Sequence, residues 1–140
     1  MNLYILDTDH VTFFQHGHPL VIQRINLLQP EELATTVVTA QEQLRGRLNA
    51  IHRATSQDAL VKTYKNLSDT IKFFKQIQVL EFTEAAAQRF AELLALRLRP
   101  GTQDLRIAAI ALSLNATVVT RNQRDFGQVP GLRSQDWTIN

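Results

Sequence analysis

The sequence predicts an α/β domain whose sheet is parallel. Short apolar runs typical of buried strands alternate along the chain with longer segments whose apolar residues recur at helical spacing. Carboxylates also stand directly beyond several of these elements. Because no linker, repeat or shift in composition interrupts the 140 residues, we expect one domain over residues 1–140.

Four apolar or β-branched runs are the candidate strands. Leu3 to Leu6 is short and ends at a polar Asp-Thr-Asp-His segment, as expected for a strand buried on both faces. Leu33 to Val38, Val79 to Phe82 and Thr117 to Thr120 have the same character. Trp137 to Ile139 is a candidate for a final edge strand.

Helical spacing accounts for the segments after the second strand. A first apolar stripe consists of Leu44, Leu48 and Ile51, and a second consists of Leu60, Tyr64, Leu67, Ile71 and Phe74. These patterns predict two long helices that form a hairpin. We expect an exposed apolar surface on this hairpin, including Phe73 or Phe74 unless both are core residues.

Two further helices are predicted beyond the third strand. The segment from Glu84 to Arg99 is expected to stop at Pro100-Gly101. Its inward residues would be Phe90, Leu93, Leu94 and Leu98. The segment from Leu105 to Leu114 is apolar throughout and predicts a buried helix.

Composition limits the kinds of site that the chain can build. Cysteine is absent, which excludes disulfides and thiolate zinc sites, so any metal must be held by oxygen or imidazole. Oxygen ligands favour Mg²⁺ or Mn²⁺. The first residues lack a basic leader, and no apolar run approaches the roughly 18 residues of a membrane span. We therefore expect a cytoplasmic protein.

Acidic side chains stand where strands end and helices begin. Asp7 follows the first strand, Glu42 the second and Asp125 the fourth, while Asp104 opens the apolar helix. An open parallel sheet gathers such edges into one crevice, so we expect these acids to converge. Convergent carboxylates can hold Mg²⁺, and a magnesium site of this kind suits phosphodiester cleavage.

Each acid also has a purely local interpretation. Asp9 could cap the first helix while Asp7 fills a turn, although the two would share one face of an extended strand end. Thr39 and Glu42 match a capping box. In the same way Thr102 could cap the helix that contains Asp104, and Asn122 lies three residues before Asp125. None of these local roles accounts for the ordered set of acids.

The charge distribution favours a polyanionic partner. With Asp7, Asp9, Glu42, Asp104 and Asp125 set aside, 15 basic residues face 8 acidic ones, an excess of seven positive charges. Three arginines stand near the acids in sequence and suit phosphate oxygens, or else ordinary surface pairing: Arg106, Arg121 and Arg124.

The histidines have less specific roles. His10 stands beside the acids and is a candidate hydrogen-bond donor to one of them. His16 and His18 flank a glycine in a polar segment and are expected to face solvent.

Four motifs together resemble a PIN domain. They are Leu6-Asp7-Thr8-Asp9, Thr39-Ala40-Gln41-Glu42-Gln43-Leu44-Arg45-Gly46, Asp104-Leu105-Arg106-Ile107-Ala108-Ala109-Ile110-Ala111, and Thr120 to Phe126 followed by Val129-Pro130-Gly131-Leu132. The similarity covers nearly the whole chain and is strongest to the VapC-like toxins of bacterial type II toxin-antitoxin pairs. The resemblance implies a three-layer α/β/α fold with a five-stranded parallel sheet in the order 3-2-1-4-5.

The resemblance also implies an activity and a set of site residues. The activity would be that of a Mg²⁺-dependent endoribonuclease, with Mn²⁺ as a possible substitute, and the metal-binding catalytic acids would be Asp7, Glu42 and Asp104. Many relatives carry a fourth acid where this chain has Asn122, so Asp125 is assigned as the fourth acid and Asn122 as a neutral ligand or orienting amide. Supporting positions are Asp9, where relatives often carry asparagine, and the hydroxyls of Thr8 and Thr120.

The same resemblance implies two protein partners. One is a VapB-like antitoxin whose C-terminal segment fills the acidic crevice, and the other is a second copy of the chain.

Two rival functions remain open at this point. Asp-Thr-Asp after an apolar strand also suits a haloacid-dehalogenase-like phosphohydrolase with Asp7 as nucleophile. Alternatively, the departure at Asn122 would suit a catalytically inactive RNA-binding module.

Overall fold

A five-stranded parallel sheet with the strand order β3-β2-β1-β4-β5 forms the centre of the computed structural model, which describes residues 2–140. The strands are β1 (Tyr4–Leu6), β2 (Leu33–Thr36), β3 (Gln78–Leu80), β4 (Thr117–Val119) and β5 (Arg133–Gln135). β1 lies in the middle, where Tyr4 pairs with Leu33 on one side and Thr117 on the other. All pairs are parallel, so the carboxyl ends of the strands meet at one edge.

Helices cover both faces of this sheet. They are α1 (Thr8–Gln15), α2 (Pro19–Ile25), α3 (Val37–Arg53), α4 (Gln57–Gln76), α5 (Glu84–Ala95), α6 (Thr102–Ser113) and α7 (Gln123–Phe126), with a short 3₁₀ turn at Pro30–Glu32. Successive strand residues point to opposite faces, so Ile5 packs with α5 and α6 while Leu6 packs with α1 and α2. The predicted three-layer fold and the strand order are confirmed.

The second strand is shorter than predicted, and this changes the position of Glu42. β2 ends at Thr36, whose side chain accepts a hydrogen bond from the Thr39 backbone N–H at 3.2 Å and caps α3. Val38 is therefore helical, because this cap competes successfully with the β preference of the valines. The local alternative, a capping box of Thr39 and Glu42, does not form, since Thr36 is the cap and Glu42 lies in the second turn of α3.

Two other boundaries also differ from the prediction. The last strand is Arg133–Gln135 rather than Trp137 to Ile139, because the Trp137 ring is buried beside Tyr4 under the sheet. α5 ends at Ala95, well before Pro100, since Arg97 adopts a positive φ of 51° that cannot continue a right-handed helix. Leu94, predicted to face inward, is 48% exposed.

The predicted helical hairpin is formed by α3 and α4, and it leaves apolar side chains exposed. Leu48, Leu60, Tyr64 and Ile71 are all exposed. Phe73 is instead half-buried and packs against Phe14, with 5.7 Å between ring centroids. None of the helices formed by residues 2–140 is both long and apolar enough to span a membrane.

Candidate metal centre

Asp7 stands at the end of the central strand and begins the first helix. Its backbone N–H donates to the Val119 carbonyl at 3.0 Å, and its carboxylate accepts from the His10 N–H at 2.8 Å, so Asp7 is the cap of α1. The alternative in which Asp9 caps this helix is wrong. Because the chain turns helical at Thr8, Asp7 and Asp9 do not share one face of an extended strand, contrary to the prediction.

His10 connects Asp7 to the C-terminal segment. Its ring is fully buried, with Nδ1 3.3 Å from Asp7 Oδ1. The Trp137 backbone N–H donates to Nε2 at 3.3 Å, and Asp136 Oδ1 lies 3.6 Å from the same nitrogen. Since Nε2 accepts a hydrogen bond in this arrangement, the ring proton belongs on Nδ1, which donates to Asp7. The predicted donor role of His10 thus has a defined geometry.

Glu42 reaches the same region from α3. The Thr8 hydroxyl donates to Glu42 Oε1 at 3.2 Å and lies 3.1 Å from the hydroxyl of Thr39. Burial raises the pKa of Glu42, and the negative charges of Asp7 and Asp9 raise it further, against lowering by the Thr8 hydrogen bond and Arg45. Thr8, which follows Asp7 in the sequence, therefore contacts Glu42 directly.

Asp104 lies in the first turn of α6. The helix is capped by Gly101, so Thr102 is its first residue and not the cap. The Gln103 side chain donates to Gln41 Oε1 at 3.2 Å, which joins the start of α6 to α3 beside Glu42.

Several acids act on the ionisation of Asp104 at once. The pKa of Asp104 is raised from its ordinary value of 3.8 to about 6, first by burial and then by the negative charges of Asp7, Glu42, Asp125 and Asp9, in that order. Asp104 therefore lies within electrostatic reach of all the other predicted site acids. The structure brings together side chains that are separated by up to 118 positions in the sequence.

Asp125 differs from the other acids because both of its carboxylate oxygens are engaged. Arg99 Nε lies 3.1 Å from Oδ1, and the Asn122 amide donates to Oδ2 at 2.9 Å. Asn122 also caps α7, accepting from the Asp125 backbone N–H at 3.3 Å. Asn122 thus orients the Asp125 side chain. Arg99 was not predicted as a site residue, because it lies in the irregular segment after α5, where no pattern indicates its partner.

Thr120 and Thr8 take different places around the acids. Thr120 is fully buried, and its hydroxyl accepts from the Asn122 backbone N–H at 2.9 Å. This bond holds the turn that follows β4. The Thr8 hydroxyl, in contrast, donates to Glu42. The Thr8 hydroxyl therefore contacts a predicted metal-binding acid, Glu42, whereas the Thr120 hydroxyl is bonded to the backbone.

The three predicted phosphate-binding arginines occupy separate positions. Arg106 donates to Gln103 Oε1 at 2.6 Å, with its guanidinium 5.5 Å from the centre of the Phe90 ring. Arg121 lies over Phe13 of α1, also at 5.5 Å, and Arg124 is exposed on α7. Arg106 and Arg121 are therefore held by aromatic rings on two different elements, α5 and α1.

The donor set suits a small divalent cation. Among residues 2–140, no three Asp, Glu or His side chains are close enough to form a ready-made metal site. The carboxylate and hydroxyl oxygens gathered here are nevertheless the ligands that Mg²⁺ prefers, and Mg²⁺ typically keeps several waters. A cation would also relieve the charge repulsion that helps to raise the pKa of Asp104. The residues present therefore fit Mg²⁺ or Mn²⁺.

Comparisons with known proteins identify the family of the chain. Residues 4–132 match the PIN domain family. The chain is 29% identical to ribonuclease VapC1 of Haemophilus influenzae, covering 97% of this chain and 98% of the relative. It is 31% identical to the tRNA(fMet)-specific endonuclease VapC of Shigella flexneri, covering 96% and 98%. Its fold is similar to that of VapBC-1 from nontypeable Haemophilus influenzae, with a TM-score of 0.79, 26% identity and coverage of 98% and 99%.

Proposed function

Because the chain belongs to the PIN domain family, we propose that it is a VapC-like toxin of a type II toxin-antitoxin pair, a metal-dependent endoribonuclease that hydrolyses RNA phosphodiesters. The names of the similar proteins, ribonuclease VapC1 and tRNA(fMet)-specific endonuclease VapC, support RNA as the substrate. The single observation that carries the metal dependence is the placement of Asp7, Asp9, Glu42 and Asp125 within electrostatic reach of the partly buried Asp104.

Asp7, Glu42 and Asp104 would hold the cation, with Asp125 as a fourth acid. A bound Mg²⁺ or Mn²⁺ would polarise the scissile phosphate and activate water for in-line attack, leaving a 5′-phosphate and a 3′-hydroxyl. His10 keeps Asp7 in place through its Nδ1–H, and Thr8 keeps Glu42 in place through its hydroxyl. Both contacts fix carboxylate oxygens before any ligand arrives, which reduces the reorganisation that binding requires.

The arginines would bind the RNA backbone. Arg106, Arg121 and Arg124 lie close to Asp104 or Asp125 in sequence, and two of them are already held against aromatic rings. Guanidinium groups pair with phosphate oxygens through two parallel hydrogen bonds. An RNA strand would therefore be held on the arginines while one phosphate faces the acids.

A phosphohydrolase with Asp7 as nucleophile is disfavoured by the geometry. In that chemistry a second acid two residues later must act beside the nucleophile. Here Asp7 is buried and caps α1, whereas Asp9 is exposed in the first turn of that helix and does not continue an extended strand end. The family match likewise supports a nuclease.

The partners are an antitoxin and a second copy of the chain. The similar structure VapBC-1 is named for two proteins together, which supports a VapB-like partner for this chain. The exposed apolar side chains of the α3–α4 hairpin give a protein partner a surface to cover. A homodimer and a cytoplasmic location remain predictions. Light scattering of the purified chain gives its mass in solution and so tests whether it is a dimer.

End-mapping of cleaved RNA tests the proposed activity. Purified protein is incubated with RNA in Mg²⁺, in Mn²⁺ and in excess chelator, and the new ends are identified. We expect cleavage only with a cation, leaving 5′-phosphate ends. Cleavage that persists in chelator would contradict the metal dependence. RNA binding without any cleavage would instead support the inactive RNA-binding module.

A further inference from the structure

A cavity of about 410 Å³ opens beside the acids between α3, α5 and α6. Its lining consists of Val37, Val38, Gln41, Phe82, Phe90 and Arg106. Gln41 immediately precedes Glu42, and its hydrogen bond to Gln103 places it next to the turn that contains Asp104. The cavity therefore adjoins the candidate metal centre without sharing its acids.

Aromatic and cationic groups form one wall of this cavity. Phe82 is 37% exposed although it is a large apolar side chain, and its ring meets Phe90 edge to face at 6.0 Å. Arg106 lies over Phe90 at 5.5 Å from the ring centre. The exposed ring of Phe82 gives a flat surface on which another ring can stack, and Arg106 places a positive charge next to it.

Amide groups add a polar edge to the cavity. The Gln103 side chain donates to Gln41 and accepts from Arg106, so the three side chains form a connected polar row. Each amide also has donor or acceptor capacity beyond these bonds. The cavity thus combines an aromatic surface for stacking, the positively charged guanidinium of Arg106 and side-chain amides that can form hydrogen bonds.

We propose that this cavity binds one unstacked base of a single-stranded RNA, with the base against Phe82, its edge at Gln41 and the adjoining phosphate at Arg106. This inference rests on the proposed ribonuclease function and adds a base-recognition site to it. A nucleotide carries the same three features in complementary form, namely an aromatic face, a polar edge and a negative charge. A second copy of the chain is a poorer match, because apolar side chains such as those exposed on the α3–α4 hairpin would leave the Arg106 guanidinium and the Gln41 amide without complementary partners.

Binding measurements on Phe82 variants test the proposal. Short single-stranded RNAs that carry 2-aminopurine at successive positions are titrated in chelator with the unaltered chain, Phe82→Ala, Phe82→Trp and a control, Leu94→Ala. Leu94 is 48% exposed and does not line the cavity. We expect Phe82→Ala to bind about tenfold more weakly and to lose the change in 2-aminopurine fluorescence that the unaltered chain gives on binding, while Phe82→Trp and Leu94→Ala bind normally.

Cleavage and mass measurements separate the base site from the ribonuclease activity and from a protein interface. Gln41→Ala should broaden the base preference at the cut site without changing the overall fold. If the unaltered chain cleaves RNA and Phe82→Ala binds and cleaves identically, the base site is wrong and the ribonuclease stands. If no RNA is cleaved but binding still depends on Phe82, the ribonuclease is wrong and the base site stands. A change from dimer to monomer in Phe82→Ala, without a change in RNA affinity, would overturn the proposal in favour of an interface between copies.

Discussion

Asp104 and Asp125 occupy the same kind of position, yet their surroundings differ. Each lies in the first turn of a helix beyond the carboxyl edge of the sheet. Asp104 is partly buried within electrostatic reach of other carboxylates, and burial and these charges raise its pKa to about 6, whereas Asp125 is engaged by Arg99 on one oxygen and by Asn122 on the other. Residue type and helix position therefore do not determine how ready a carboxylate is to bind a cation, because the charged and polar groups around it decide its availability.

Replacing Asp7 by Asn gives the largest expected effect. The amide keeps an N-cap acceptor for α1 but removes the charge, so the fold survives while cleavage falls by more than about a hundredfold. Asp125→Asn should cost less, roughly tenfold, because Asp125 already shares its charge with Arg99. Initial rates of RNA cleavage in Mg²⁺ measure both. Asp69→Asn, an exposed acid on α4 paired with Lys65, is the matched control and should remain fully active. Equal losses of cleavage rate in Asp7→Asn and Asp125→Asn would contradict the smaller role that we assign to Asp125.

Two substitutions of His10 separate its two contacts. Asn can place a donor near the position of Nδ1 and keep the bond to Asp7, while Gln can reach the position of Nε2 and keep the bond to Trp137. If holding Asp7 is the role of His10, His10→Gln should bind Mn²⁺ about tenfold more weakly and His10→Asn should bind it nearly normally. Calorimetric titration with Mn²⁺ gives the affinities. A purely structural role would instead weaken both variants in proportion to their loss of thermal stability.

The pKa of Asp104 predicts a pH-dependent loss of stability without metal. Its pKa is higher in the folded chain, about 6, than its ordinary value of 3.8, so the folded state binds the proton more tightly. The free energy of unfolding should therefore decrease as pH rises from 3.8 to about 6 and stay lower above that. Asp104→Asn has no carboxylate to ionise at this position and therefore does not lose this stability. Above pH 6 its free energy of unfolding should exceed that of the unaltered chain by about 1 kcal/mol after screening by solvent, which raises the unfolding temperature by roughly 3 °C.

Thermal unfolding in chelator, recorded over this pH range, checks the direction. The difference between Asp104→Asn and the unaltered chain should vanish below pH 3.8, where both side chains are neutral. Added Mn²⁺ should stabilise the unaltered chain more than the variant well above pH 6. A variant that is less stable at every pH would show that Asp104 is stabilised by contacts within the fold.

Arg99→Gln gives the smallest expected change. Removing the guanidinium frees Asp125 Oδ1 and leaves the acidic cluster more negative, so Mn²⁺ should bind about threefold more tightly. Calorimetry compares it with Arg89→Gln, which removes a similar surface ion pair with Glu92 on α5. Unchanged Mn²⁺ affinity in Arg99→Gln would mean that Asp125 does not contribute to the metal centre.

The sheet and its order were predictable from the sequence, and so was the acidic edge. Buried parallel strands leave near-continuous apolar runs, and the four motifs resembled one family in the right order. The family and the fold are confirmed, while the roles of the individual site residues remain predictions.

The ends of the strands and helices, and the side chains that contact the acids, were harder to predict from the sequence. Val37 and Val38 favour a strand by their local preference, and only the cap formed by Thr36 makes them helical. Arg99 and Asp125 lie 26 positions apart, and His10 and Trp137 lie 127 apart. No periodicity connects such pairs, because they meet only after the sheet has brought their elements together.

The bond between His10 and Trp137 has a consequence for synthesis on the ribosome. β1 and Asp7 are translated well before the elements that support them, because β1 pairs with β4 and His10 is held by the backbone N–H of Trp137. A nascent polypeptide stalled before Trp137 therefore has its first acid in place without the support that orients it. The cleft can be finished only after Trp137 has emerged, so a translating ribosome is not exposed to a completed nuclease before that point.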